Sequence, residues 1–491
     1  MASLLERPTA EGAPLAAAAA EVVYIKPHLL ALPCKGGLLR AGDVKRGQAG
    51  GALALDVARA AGSAGKLAPA ERDYCVELGR LRDAAVGALG DLAWDRDALD
   101  RGVAEYLGLL QGLTGEQPEV GNPLADGAAA TAASTPKAST TPRIAAALSF
   151  QWYDLLGAGK PVAGDAHLEL RAVLLSLAVW KTAAAAAAHN HPRFSEGVSS
   201  AETAAAYQLV REAAGLAGLA SKLPPAGGAS RDLQPPVLAA LEAVFLADAQ
   251  SLTTLRALAK GASHSVVAAV ARDTSELYSG ALQAVPTGPG SGPWESKLRA
   301  YTTFKAEAFA AHAHIALAQQ ALSEDRAGDA VRSAEEARSL AAAAAHSAQA
   351  YDKAAPASDP QEHAGFSGHL RATVEHAADK ITRMNSMIYY KAPAAELPQL
   401  PEPTRLAAPL PYTLPVLSET ARSLRSSAPA AKADAAGADG GAHGPNGNAP
   451  ATPADDGEAP PADRPDKPNE TPEKPGKPGN QKKQGCCCVV Q

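Results

Sequence analysis

The last four residues of the 491-residue chain, Cys488-Val489-Val490-Gln491, set a thiol before two aliphatic side chains and a glutamine. This is a CaaX box: a prenyltransferase takes the chain end extended, and its zinc ion holds the cysteine as the thiolate nucleophile. Gln in the final place selects the farnesyl group, so Cys488 is the expected farnesylation site and a prenyltransferase an expected partner. One lipid chain binds a membrane only marginally, and two further anchors stand beside it. Cys486 and Cys487 are candidates for S-acylation. Lys474, Lys477, Lys482 and Lys483 follow the last acid, Glu473, and would draw anionic lipid. Apart from this covalent prenyl lipid no cofactor is expected.

Other spacings that suggest chemistry do not hold up. Gly157-Ala158-Gly159-Lys160 resembles a phosphate loop, but Asp154 stands where its first glycine is needed and Pro161 where the Ser or Thr for magnesium belongs, so the segment reads as a turn. Gly288-Pro289-Gly290-Ser291-Gly292 follows no strand and reads as a linker. His189 with His191, and His312 with His314, form His-x-His pairs whose imidazoles point about 200° apart on a helix. They are expected to be solvated or packed, with no metal. Glu335 and Glu336 belong to a charged helical face, and no catalytic set emerges.

The elements that must carry these residues follow from composition. Hydrophobic residues make up 46% of the chain and aromatic ones only 4%, so the apolar content is mostly Ala, Leu and Val, which favours packed helices. A formal charge of −6 offers no basic field for nucleic acid. Cys34 and Cys75 in the body, with three cysteines at the end, make no disulfide framework, so a reducing compartment is expected. The N-terminus lacks a signal h-region, and no eighteen apolar residues run uninterrupted.

Residues 1–21 read as disordered, and Val22-Val23-Tyr24-Ile25 as a short extended segment. Tyr74, Leu78, Leu81 and Ala85 recur at helical spacing on one face of a helix over 68–87, flanked by Asp73, Glu77, Arg80 and Arg82. Leu99, Val103, Tyr106, Leu107 and Leu110 stripe a second helix over 97–112, which should pair with the first. A low-complexity insertion at about 114–142 lacks anchors. Helical pattern resumes at about 144 and continues through 167–190, 200–222, 233–258, 262–285, 294–322, 326–352 and 366–390. In the pair 294–322 and 326–352, Ala308, Ala311, Ile315 and Ala316 should face Val331, Ala334 and Ala337, as in a tetratricopeptide-like hairpin. Pro393, Pro398, Pro401 and Pro403 then force extended chain. From 417 to 485 a disordered Pro/Ala/Gly/Lys-rich tether leads to the Cys-rich end at 486–491.

Several blocks, in order, resemble the Bro domain of Alix-type proteins, which work with the ESCRT machinery. They are Tyr74–Leu78 with Leu81–Gly87, Phe150-Gln151-Trp152-Tyr153-Asp154 and Leu246-Ala247-Asp248-Ala249-Gln250. Lys305-Ala306-Glu307-Ala308 with Gly328-Asp329-Ala330-Val331 follows, then Asn385-Ser386-Met387-Ile388-Tyr389. Ser367-Gly368-His369-Leu370 looks like the branch of that family in which the Bro domain is followed directly by a CaaX tail. The resemblance implies an all-α, boomerang-shaped domain with a tetratricopeptide-like core over 22–416. It also implies a shallow concave groove for the C-terminal amphipathic helix of an ESCRT-III subunit. Groove positions would fall at Thr253, Val266 and Val270. Alix itself has an aromatic at the place of Thr253 and lysines at the places of Ala201 and Ala205. Read from spacing alone, Val266 and Val270 at i and i+4 are equally core residues of their helix.

The expectation is a non-enzymatic adaptor, cytoplasmic and peripheral on cytosol-facing, endosomal membranes. Two rivals stand beside it: a tetratricopeptide-like scaffold for unrelated peptides, which a basic carboxylate-binding groove would favour, and a lipid or small-ligand enzyme with a prenyl address, which a deep pocket with perturbed acids would favour.

Overall fold

Prolines and capping side chains start the helices close to where the pattern puts them. A computed structural model describes residues 28–30, 32, 68–114, 144–145, 148–155, 162–189, 200–224, 230–287 and 292–427. Val22–Ile25, most of the insertion, the Gly157–Lys160 turn, Cys34 and everything after Ser427, Cys486, Cys487 and Cys488 included, lie outside the described residues.

Helix α1 (Pro69–Leu89) opens on proline, and the Glu71 side chain accepts from the Ala68 N–H at 2.8 Å. It pairs with α2 (Arg96–Thr114), and the expected stripe from Leu99 to Leu110 is buried. A two-stranded antiparallel hairpin follows, β1 (Phe150–Trp152) on β2 (Val162–Gly164), with Gln151 opposite Ala163. This corrects the expectation of unbroken helix from about 144: Phe150 and Trp152 alternate inward around an outward Gln151, a strand's period of two.

Then come α3 (Ala166–His189), α4 (Ser200–Lys222), α5 (Pro235–Ala259), α6 (His264–Ala284), α7 (Pro293–Ser323), α8 (Ala327–Lys353) and α9 (Gln361–Met384). From α3 to α9 each helix packs on the one before it. The α7–α8 hairpin buries Ala308, Ala311, Ile315 and Ala316 with Val331, Ala334 and Ala337, as their spacing predicts. Helices α3 and α5 contain stretches long and apolar enough to cross a membrane, but most of each stretch is buried inside the helical body.

After a single π-helical turn, Asn385–Tyr389, the chain becomes an extended strap that runs back over the helices. The Ala394 N–H meets the Gly328 carbonyl on α8, Thr404 meets Ala269 on α6, and Leu410 meets Arg211 on α4. Glycine makes the close approach possible. A Cβ on Gly215 would stand 1.7 Å from the Leu410 carbonyl oxygen, so only glycine fits that turn of α4. The strap does not end the packed body at 416. A further helix, α10 (Glu419–Ser427), lies on α1 and α2 with Leu417, Ala421 and Leu424 buried, so packing continues at least to Leu424. Its short apolar pattern was masked by the serines and arginines around it.

Candidate partner-binding face on α5, α6 and the strap

Several residues of the resemblance blocks, Arg82, Trp152, Asp154, Asp248 and Lys305, take part in buried polar joints of the fold, whereas Asn385–Tyr389 contains no buried residue. Glu169 of α3, fully enclosed, accepts from Arg82 Nε at 2.8 Å, Tyr106 OH at 2.7 Å and Trp152 Nε1 at 2.5 Å. One carboxylate thereby ties α1, α2, β1 and α3 together. Arg82, expected to flank the α1 face, is in fact buried, its guanidinium stacked near the rings of Phe150 and Trp152. Asp154 accepts from the Arg231 N–H at 2.9 Å.

A second joint lies under α5 and α6. Asp248 Oδ1 accepts from Tyr278 OH at 2.5 Å and Tyr301 OH at 2.6 Å, and Oδ2 accepts from the Leu30 N–H at 3.4 Å. Burial raises this carboxyl above its ordinary range, against the pull of nearby Lys305. Burial likewise pushes Lys305 down to about 8. Its ammonium donates to the His28 carbonyl at 2.7 Å and lies 4.2 Å from the Phe366 ring centroid. His28, Leu29, Leu30 and Leu32 are all buried, so this short N-terminal segment is part of the core.

Above that joint lies the face where the groove is expected. Ser263 caps α6, accepting from the Val266 N–H at 3.4 Å, and Val266 in the first turn is 46% exposed. Thr253 on α5 is half-buried, its hydroxyl donating to the Ala249 carbonyl at 3.3 Å. Val270 is not at the surface: it is fully buried and has no face to offer a partner. The reason is local enclosure, because α5 and α7 pack on either side of α6 while the strap crosses at Ala269, and every side chain from Val267 to Ala271 is buried.

The strap was missed as part of this face. Thr253 lies one turn beyond Gln250, and Val266 one turn before Ala269, the two residues that hold Thr404. Leu406, 51% exposed, is presented beside them. Thr253, Val266 and Leu406 thus flank the strap's crossing of α5 and α6, and half-buried Leu258 and Ala262 pack nearby against Val267, Ala268 and Ala316. Ala201 and Ala205 on α4 are exposed and carry no charge. Arg256 in the last turn of α5 and Lys260, which caps that helix, have no ion pair among the described residues, whereas Arg405 is held by the buried Asp273 at 3.2 Å.

His312 and His314 are packed side chains, and burial takes His312 down to about 3. No cluster of three His, Cys, Asp or Glu side chains capable of holding a metal occurs among the described residues. A cavity between Gln111, His167, Leu170 and Leu414 measures about 40 Å³, room for little more than a water molecule.

Residues 137–430 match the BRO1-like domain family, and the chain belongs to that family. Among known proteins it is similar to BRO1 domain-containing protein BROX of Danio rerio, with 27% identity over 364 residues, 71% of this chain and 82% of the relative. The fold is that of a solved ALIX BRO1–CHMP4C complex, with a TM-score of 0.52 and 16% identity over 81% of this chain and 97% of that one. It is also that of ALIX bound to the SIVmac239 PYKEVTEDL late domain, with a TM-score of 0.52 and 15% identity. This chain covers 81% of itself but only 50% of that longer ALIX chain. The resemblance carried by the sequence blocks therefore holds for the family and for its BROX-like branch.

Proposed function

We propose that this protein is a membrane-tethered adaptor whose α5–α6 face binds the C-terminal amphipathic helix of an ESCRT-III subunit. The observation that carries the reading is that Val266 of α6 and Leu406 of the strap are exposed and Thr253 of α5 is half-buried where the strap crosses these helices, in a family in which ALIX forms a complex with CHMP4C. A helix lying there would bury its apolar face and leave its polar face in water. In this reading the protein is not an enzyme.

Farnesylation of Cys488, with acylation of Cys486 and Cys487 or the lysine stretch as the second signal, supplies the anchor to cytosol-facing, endosomal membranes. Site-directed photo-crosslinking tests the face. A photoreactive side chain at Val266 should capture the ESCRT-III helix peptide, while the same group at Val76, 51% exposed on α1, should not. Equal capture at both positions, or none, would refute the assignment. Intact-mass analysis of protein from eukaryotic cells should find one farnesyl group, absent from Cys488→Ser; an unmodified wild-type chain end would refute the anchor.

A further inference from the structure

Apart from the Arg405–Asp273 ion pair, the strap is gripped through its backbone where it borders the partner-binding face, and one body residue makes three of those hydrogen bonds. Gln250 is wholly buried. Its Nε2 donates to the Thr404 carbonyl at 2.9 Å, and its Oε1 accepts from the N–H groups of Leu406 at 3.1 Å and Ala407 at 2.8 Å. On either side the grip is again on main-chain groups. Arg272 donates to the carbonyls of Leu400 and Pro401 at 3.1 and 2.8 Å, Tyr207 to that of Leu406 at 3.2 Å, and Arg211 to that of Ala408 at 2.7 Å. Ala407 points inward and is buried, which turns the preceding Leu406 outward by the alternation of extended chain. With its oxygen accepting and its nitrogen donating, a primary amide can satisfy two N–H groups and one carbonyl together, and Gln250 does this without leaving the core.

We propose that Gln250 is a positioning residue for partner binding: it fixes the register of Thr404–Ala407 and so holds Leu406 at the edge of the α5–α6 face. This rests on the adaptor reading above. Gln250 touches no partner in this account; its effect passes entirely through the strap.

A double-mutant cycle on the full chain tests this, using titration with a fluorescent ESCRT-III C-terminal helix peptide. Gln250→Ala and Leu406→Ala should each weaken binding by roughly tenfold, and the double variant should be no weaker than either, since the two changes remove one contact. In Gln250→Glu the protonated acid reproduces the amide's hydrogen bonds while the carboxylate repels the Thr404 carbonyl. Its affinity should therefore rise as pH falls from 8 to 6, relative to wild type. Hydrogen exchange at Leu406 and Ala407 should quicken in Gln250→Ala. Losses that multiply in the double variant, an unchanged affinity in Gln250→Ala, or unchanged exchange would each overturn the proposal. Absence of wild-type binding would instead overturn the adaptor reading itself, whereas binding that is intact and indifferent to Gln250 overturns only the positioning role.

Discussion

The two buried carboxylates of this body solve the same problem differently. Glu169 meets a full cation, Arg82, along with a tyrosine and a tryptophan, and so closes a charge-balanced joint between α1, α2, β1 and α3. Asp248 has no directly bonded cation among the described residues: two tyrosine hydroxyls and a backbone N–H satisfy it, with Lys305 close by but bonded to the His28 carbonyl. The first joint should be rigid and costly to break. The second depends on neutral donors, one of them from a short N-terminal segment, and it lies directly beneath the helices that present the proposed partner surface.

Breaking the stronger joint should cost most. Glu169→Ala leaves Arg82 buried without its partner and should lower stability by about 3–5 kcal/mol in denaturant unfolding. Close behind is Val270→Asp, which puts a carboxylate at a fully buried site and should cost at least about 3 kcal/mol, marking Val270 as core and not surface. Asp248→Asn keeps the size but weakens the bonds from Tyr278 and Tyr301. We expect a loss of about 1–3 kcal/mol, with faster hydrogen exchange at Leu30 as its local sign.

Acid should act on the second joint as well. His28 and His312 are held neutral when folded, by burial first and then by nearby positive groups, His312 at about 3. The unfolded chain binds their protons below about pH 6.5 and the folded one does not. Stability is therefore complete above that pH and declines as pH falls toward 3, by up to about 1.4 kcal/mol per unit for each histidine. Asp248, raised by burial, works in the opposite sense, since its folded form takes a proton more readily than the unfolded one. In Asp248→Asn, which removes that opposing titration, a flat stability profile between pH 7 and 5 would mean that His28 and His312 are not enclosed as described.

Much of this was legible from spacing. The helices expected over 68–87, 233–258 and 294–322 and the α7–α8 hairpin fell near their observed places because apolar and small-residue periodicity is a local signal. Glu169 and Arg82 were invisible as a pair because 87 residues separate them, and Arg82 read as a flanking charge on an amphipathic helix. The strap's path was likewise hidden. Its prolines announced extended chain, but its place is set by Gly215, Gln250 and Arg211 on distant helices. For the partner face, periodicity could not choose between core and surface for Val266 and Val270, and the fold divides them, one exposed and one enclosed.

That division gives the most direct test. The full chain should bind a fluorescent ESCRT-III C-terminal helix peptide saturably, and Val266→Asp should remove that binding while shifting stability by less than about 0.5 kcal/mol, as an exposed substitution does. A wild-type chain that fails to saturate at high micromolar peptide, or a Val266→Asp variant that binds as tightly as wild type, would contradict the assignment of this face.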